Sequence, residues 1–306
     1  MKFLGRNYLS QAEGIQMLLR KIFVSVASVI VILFSTTICA EENIDNILNG
    51  LIKVNSSQLQ NCADKGNKVC EINLGVFYAY KFKLPDGEVS QNIGQAKVWL
   101  NKTTLYPISR YVLGEIYINE DSNIKLGESL LFSSCAENTR DACMTLYELY
   151  TKDSSHGIDH NNLLYVIKKI IEIDSNSSSL AKDSKNYTVR YFNGKLARLL
   201  IKRKDPDAIP LLEKEVEADA PFASSLLAPL YETGQLATKN LTRAYMMYDL
   251  SGSGYADEKA KVAEQMTPAQ VREAQEMSWR WQDEHRSYRA GYRGGDIGIH
   301  GKVEQR

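Results

Sequence analysis

The sequence predicts an all-α chain, built as a solenoid of helix–turn–helix repeats. Three observations carry that prediction. Apolar residues recur at helical spacing through most of the chain after Ala40, in runs such as "VCEINLGVFYAY", "RYVLGEIYI" and "ACMTLYELY", without sustained strand-like alternation. A short motif returns at Leu74-Gly75-x-x-Tyr78, Leu113-Gly114-x-x-Tyr117, Leu146-Tyr147-x-x-Tyr150 and Leu227-Ala228-x-x-Tyr231, the first three copies lying 39 and 33 residues apart. A period of roughly 30–40 residues with two helices per unit marks an α-solenoid. Finally, two cysteine pairs, "CADKGNKVC" and "CAENTRDAC", share one internal spacing and stand 73 positions apart.

The N-terminus comes first in chain order. From Met17 it reads "MLLRKIFVSVASVIVILFSTTICAEE", with a basic head at Arg20 and Lys21 and an apolar run from Ile22 to Phe34. A small-residue exit then precedes an acidic start, the layout of a secretory signal peptide with cleavage after Ala40. The apolar run is shorter than the roughly 20 residues a membrane-spanning helix requires. Membrane contact is therefore expected only through this segment before cleavage. Cys39 follows Ile38 rather than the small residue a bacterial lipid-modification site wants, so it belongs to the discarded part. Residues 1–16 are an extended head or an upstream start, and residues 1–40 are set outside the fold.

The rest of the composition limits partners. The chain has 306 residues and 44% hydrophobic content, enough for a packed core in one or two ordinary domains or one elongated repeat domain. Lys plus Arg equals Asp plus Glu at 37 each, and no dense basic stripe stands out, which argues against a nucleic-acid partner.

Each motif helix is followed by a more polar one: "NIGQAKVWLNKTT", "NIKLGESLLFSSCAEN", "HNNLLYVIKKIIEID" and "NLTRAYMMYDLSGSG". A further pair fits residues 187–218, and the polar "SNSSSLAKDSKN" predicts an inserted loop at about 175–186. The small residues Gly75, Gly114 and Ala228 let two helix backbones approach, with the motif tyrosine covering the gap. These tyrosines read as packing groups rather than a cofactor box. A closing helix starts at Thr267 as N-cap, with Pro268 in the first turn and Gln270 at the capping-box position. Its Met277, Trp279 and Trp281 are placed to seal the open end of the stack, as solenoids require. The repeat region is thus expected over 41–286, with a mobile tail over 287–306.

These residues resemble Sel1-like repeats, relatives of the tetratricopeptide fold. The segment from "ADAPFASSLLAPLYETGQLATKNLTRAYMMYDL" onward carries the family's L-A-x-x-Y, the Gly234 turn and the Arg243-Ala244 pair. Tyr248, Gly254 and the Thr267-Pro268 helix start follow, and Trp99 sits three residues after Ala96, where the family often has tryptophan. The resemblance covers roughly 60–285; it is strong at 218–285, fair at 69–150 and poor at 151–200, which leaves the number of repeats there open. It implies a right-handed α-solenoid packed through Leu74, Gly75, Tyr78, Trp99, Leu113, Gly114, Tyr117, Ala228, Tyr231, Ala244, Tyr248 and Gly254.

Four cysteines remain in the mature chain: Cys62, Cys70, Cys135 and Cys143. Residues i and i+8 on one helix stand about 12 Å apart along its axis, whereas a disulfide needs Cα atoms roughly 5.5–6 Å apart. Each pair closes only if the chain reverses between its members, and Asp64, Gly66, Asn67, Asn138 and Asp141 are turn formers. In the repeat frame these reversals are joints between successive units. A four-cysteine zinc site would favour gaps of about two to four residues, and free thiols would require a cytosolic chain. The cysteine-rich exported Sel1 proteins use the same gap, and that resemblance implies Cys62–Cys70 and Cys135–Cys143 staples. Each is worth about 2–3 kcal/mol in the chain-entropy account.

Candidates for chemistry are thin. His156 and His160 have metal-ligand spacing but flank Gly157 in "SSHGIDH", and His285 and His300 are isolated. Ser179-Leu180-Ala181-Lys182 matches the Ser-x-x-Lys of penicillin-recognising enzymes but lacks the Ser-Asp-Asn and Lys-Thr-Gly partners. Glu41-Glu42 and Glu213-x-Glu215-x-Glu217 read as a tail and a solvated helix face. No catalytic residue, cofactor or metal is expected. The tyrosines outside the motif (Tyr80, Tyr106, Tyr165, Tyr187, Tyr191 and Tyr245) suit a binding surface. Periplasmic Sel1-repeat proteins of this size resemble immunity proteins that neutralise phospholipase effectors of type VI secretion, which implies a secreted phospholipase as partner and occlusion as mechanism. The alternatives are a weak β-lactam-binding hydrolase and a general periplasmic adaptor.

Overall fold

The structure is a computed structural model that describes residues 56–80, 83–84, 87–88, 90–152, 160–177, 182–220, 222–289 and 292. The expected signal segment and its cleavage point lie outside the described residues. The chain divides into two compact units, Met1–Ile158 and Asp159–Arg306.

In the first unit, helices α1 (Ser56–Asp64) and α2 (Lys68–Tyr80) precede a short antiparallel hairpin of β1 (Lys83–Leu84) and β2 (Gly87–Glu88), with Lys83 opposite Glu88. Four helices follow: α3 (Ile93–Asn101), α4 (Pro107–Asn119), α5 (Ile124–Ala136) and α6 (Arg140–Lys152). Each packs on the next. In addition α2 packs on α4, and α4 on α6. First helices thus meet both their own partner and the first helix of the next hairpin, the neighbour pattern of stacked helical repeats.

The hairpin turns share one closure. Asn92, Asn123 and, in the second unit, Asn240 each N-cap the second helix, their side chains accepting from the N–H groups of Gln95, Leu126 and Arg243. Each asparagine also donates its own N–H to the carbonyl of the motif tyrosine: Asn92 to Tyr78 at 2.8 Å, Asn123 to Tyr117 at 2.7 Å and Asn240 to Tyr231 at 2.8 Å. One residue thus satisfies a helix N-terminus and ties it to the end of the preceding helix.

The small motif residues sit where helices cross. A Cβ on Gly75 would lie 2.7 Å from Leu100 Cγ in α3, and one on Gly114 would lie 2.7 Å from Leu131 Cγ and 3.1 Å from the Gly127 carbonyl in α5. Gly127 is the reciprocal contact, its Cβ position only 2.7 Å from the Gly114 carbonyl. Ala96 and Ala244 hold the equivalent place, four residues after Asn92 and Asn240, and both are fully buried.

In the second unit α7 (His160–Asn176) packs on α8 (Lys182–Lys202), followed in order by α9 (Ala208–Glu217), α10 (Ala223–Thr233) and α11 (Leu241–Leu250). A 3-10 turn at Ser253–Tyr255, α12 (Ala256–Ala263) and α13 (Pro268–His285) complete it, with both α12 and α13 packed on α11. Its core joins Leu212, Leu227, Ala228, Tyr231, Ala244, Tyr248, Val262 and Trp281.

Two sequence expectations change here. The loop expected over about 175–186 is shorter, because α7 runs to Asn176 and α8 starts at Lys182; lysines and a single aspartate are good enough helix residues once Phe192, Leu196 and Leu200 are buried below them. Of the tail expected to be mobile over 287–306, the described residues are held in place. Ser287 Oγ donates to Asp219 at 2.6 Å, Arg289 pairs with the same carboxylate and donates to the Leu250 carbonyl at 3.0 Å, and Tyr292 is buried against Asp283.

Candidate interaction face

Cystines close two of the joints between hairpins. Cys62 in α1 joins Cys70 in α2, and Cys135 in α5 joins Cys143 in α6, with Cα–Cα separations of 5.8 and 4.8 Å. The joint between them, α3 to α4, has no cysteine; there Thr103 Oγ1 and Ser109 Oγ, both buried, lie 2.8 Å apart. The spacing of 73 residues is therefore two hairpins, and alternate joints carry the covalent link.

The motif tyrosines do more than cover a gap. The Tyr150 hydroxyl donates to Glu128 on the preceding helix at 2.5 Å, and the Tyr231 hydroxyl to Glu213 on α9 at 2.5 Å. Tyr117 instead receives Lys97 of α3 over its ring at 5.3 Å, and Lys97 also pairs with Asp121 at 2.5 Å. Tyr117, Tyr150 and Tyr231 thus each fasten a first helix to the second helix of the hairpin before it. Around Tyr231, Arg243 joins the pair, 2.9 Å from the hydroxyl and 3.1 Å from Glu213. These three side chains and Asn240 line an open depression of about 340 Å³. Burial, then the Glu213 hydrogen bond, raises the Tyr231 phenol above its ordinary value.

A polar cluster crosses the first helices α2, α4 and α6. The Tyr80 hydroxyl donates to Glu115 Oε2, and Thr145 Oγ1 donates to Glu115 Oε1 at 3.3 Å. Burial raises the Glu115 carboxyl above its ordinary value, against the lowering effect of hydrogen bonds from Tyr80, Tyr111 and Thr145. Burial first, and then the facing Glu115 charge, pushes the Tyr80 and Tyr111 phenols well up, so both stay protonated donors at neutral pH. The Tyr80 ring remains 37% exposed although its hydroxyl is enclosed. These protonated donors hold the Glu115 carboxyl in place within the fold. They offer no nucleophile.

The other expected residues fall as follows. Trp99, 6% exposed, packs with Leu59, Ala63, Cys70, Leu74 and Phe77, with Lys102 Nζ 3.8 Å above its ring. Tyr78 is half-buried against that cluster. Leu113, Ala228, Ala244 and Tyr248 are buried, and the Tyr248 hydroxyl donates to Glu232 at 2.7 Å. Gly254 does not pack: it is exposed, with nothing near its Cβ position, and the neighbouring residue that needs glycine is Gly252, at φ +85°. Thr267 and Gln270 form the capping box; Trp281 is buried and stacks on His285, while Met277 and Trp279 are only partly covered.

His156, Ser179 and His300 lie outside the described residues, and His160 begins α7. Among the described residues no cluster of three His, Cys, Asp or Glu side chains could hold a metal, and no helix is long and apolar enough to cross a membrane. Sequence reading missed Glu115 and the first turn of α8, whose body lies within the helix pair expected over 187–218. Glu115 stands directly after the Leu113-Gly114 core pair, where the equivalent position of the first copy is Val76, and that substitution was the available signal.

No protein-family model matches the chain, and a search of curated proteins finds no match. Among solved structures the chain is similar to a Sel1 repeat protein from Oxalobacter formigenes, at 14% identity and TM-score 0.43, over 87% of this chain and 68% of that one. It is also similar to a protective antigen of uropathogenic Escherichia coli that displays an SLR fold, at 14% identity and TM-score 0.33. That match covers 74% of this chain but only 56% of the antigen.

Proposed function

We propose that this chain is an exported, non-enzymatic scaffold that binds a protein, and that the protein it binds is an envelope-targeted phospholipase-type toxin of type VI secretion, neutralised by occlusion in the periplasm. The observation that carries the scaffold reading is the pair of cystines at alternate hairpin joints. They tie the second helix of one hairpin to the first helix of the next before any partner arrives, which lowers the ordering cost of binding. Disulfides also persist in an oxidising compartment, in keeping with the signal-like segment ahead of Ala40. The hydrogen bonds of Tyr80 and Thr145 to Glu115 fix the shape of the face formed by α2, α4 and α6, and the part-exposed Tyr80 ring adds contact area. The toxin assignment rests on the Sel1-like resemblance of the motif residues.

The test is neutralisation. Purified mature protein is titrated against envelope-acting type VI phospholipases, and cells carrying or lacking the chain are challenged with toxin-delivering competitors. Stoichiometric inhibition and protection of the carrying cells are expected. Failure to inhibit any such lipase, with equal killing of both strains, rejects the toxin reading.

A further inference from the structure

Helix α8 concentrates charge that the neutral chain balances elsewhere. Positions 182–204 hold eight basic residues and one acidic residue, Asp183. At about 100° per residue, Tyr187, Tyr191, Lys195, Arg198 and Lys202 fall within an arc of roughly 80°, a stripe about 22 Å long. Opposite to it, Phe192, Leu196, Ala197, Leu199 and Leu200 enter the core, so the stripe faces outward. Tyr187 is 73% exposed and Tyr191 46%.

What sets the stripe's cations apart is their grouping on one helix face, since among the described residues isolated exposed cations such as Lys125 also lack a carboxylate partner. Lys97, Arg110, Lys152, Lys169, Arg243, Lys259 and Arg289 each pair with a carboxylate. Among the described residues Lys195, Arg198 and Lys202 pair with none. Lys195 Nζ stands 5.0 Å over the Tyr191 ring, and Arg198 donates to the Gly194 carbonyl of its own helix at 3.1 Å. Asp205, next along the chain, accepts from the Asp207 N–H at 3.0 Å within the turn.

We propose that this stripe is a docking surface for an acidic helical segment of a partner protein. Three uncompensated cations at helical spacing complement carboxylates repeated every turn. Arginine adds a planar fork that matches a carboxylate, and exposed tyrosines give contact area with a polar tip at low entropy cost. A phosphate backbone is met by a broad basic field, whereas this stripe is one helix wide on a chain of zero net charge. A membrane surface would be met by large apolar side chains beside the cations, and the stripe presents only tyrosines.

The inference rests on the scaffold reading but is tested apart from it. A fluorescein-labelled helical peptide carrying glutamate at every fourth position is titrated into the full mature chain, with anisotropy as readout. Saturable, salt-sensitive binding is expected. The triple variant Lys195→Glu/Arg198→Glu/Lys202→Glu should weaken it at least about tenfold, and Tyr187→Ala/Tyr191→Ala by about the same factor. Lys125→Glu, at an exposed position on α5, should leave it unchanged, and circular dichroism should show every variant folded. Absence of saturable binding, equal binding by the triple variant, or preference for phosphatidylglycerol vesicles or single-stranded DNA over the peptide each overturns the proposal. Toxin neutralisation with full potency in the triple variant rejects the stripe and leaves the scaffold reading standing; failed neutralisation with intact peptide binding does the reverse.

Discussion

Replacing Gly127 with alanine adds one methyl group at the tightest helix crossing of the first unit. That carbon would sit 2.7 Å from the Gly114 carbonyl oxygen and 2.5 Å from Ile118 Cγ1. The Ile118 side chain can turn aside. The carbonyl is main chain within α4 and cannot, so α4 and α5 must part by about 0.7 Å to restore ordinary contact. Overpacking of this kind costs about 1–3 kcal/mol, while alanine in place of glycine stabilises a helix by about 1 kcal/mol. Because a backbone atom is hit, the upper part of the range applies, and Gly127→Ala should lose about 1–2 kcal/mol net. Urea unfolding of the oxidised protein, followed by circular dichroism, reads the change against Gly94→Ala. At Gly94 the added carbon would meet only Asn92 Oδ1 at 3.4 Å, so that variant should match the parent or gain up to about 1 kcal/mol. A Gly127→Ala midpoint equal to or above the parent's would refute the close-crossing account.

The Glu115 carboxyl has a raised pKa in the folded chain, so folding favours its protonated form. Its contribution is complete below about 4.5 and is lost as pH rises through the raised value; Glu115→Gln should therefore gain stability relative to the parent as pH rises above about 4.5, read as urea midpoints along a pH series, and a constant difference would contradict the burial argument. Trp281→Ala opens the end of the second unit and should cost about 3–5 kcal/mol by thermal or urea melting. Limiting reductant should open Cys62–Cys70 before Cys135–Cys143, because Cys62 is half-buried whereas Cys135 and Cys143 are both fully buried; alkylation and peptide mapping would detect the opposite order.

The helical repeat could be read from the sequence because its signals are local. Leu74-Gly75-x-x-Tyr78 and Leu113-Gly114-x-x-Tyr117 announce a buried side chain, a close crossing and a covering ring within five residues. The cysteine gap and the Thr267-Pro268-x-Gln270 start are equally compact. Interactions between distant positions were not legible. Gly127 matters only through Gly114, and Glu115 only through Tyr80, 35 residues earlier, and Thr145, 30 later. The packing role expected of Gly254 is filled by neither glycine of this turn: both have open space at the Cβ position, and Gly252 is required for its backbone angle of φ +85°. The ordered start of the tail depends on Asp219, 70 residues before Arg289. The basic stripe was hidden by averaging: equal totals of acid and base conceal a helix whose cations lack local partners.

The most direct measurement is a thiol count on residues 41–306 produced in an oxidising compartment, denatured without reductant and mapped by mass spectrometry after alkylation. No reactive thiol should appear before reduction and four after it, with Cys62–Cys70 and Cys135–Cys143 peptides linked. Four thiols before reduction, or links between the two pairs, would contradict hairpins locked at their joints and remove the basis for a prearranged binding face.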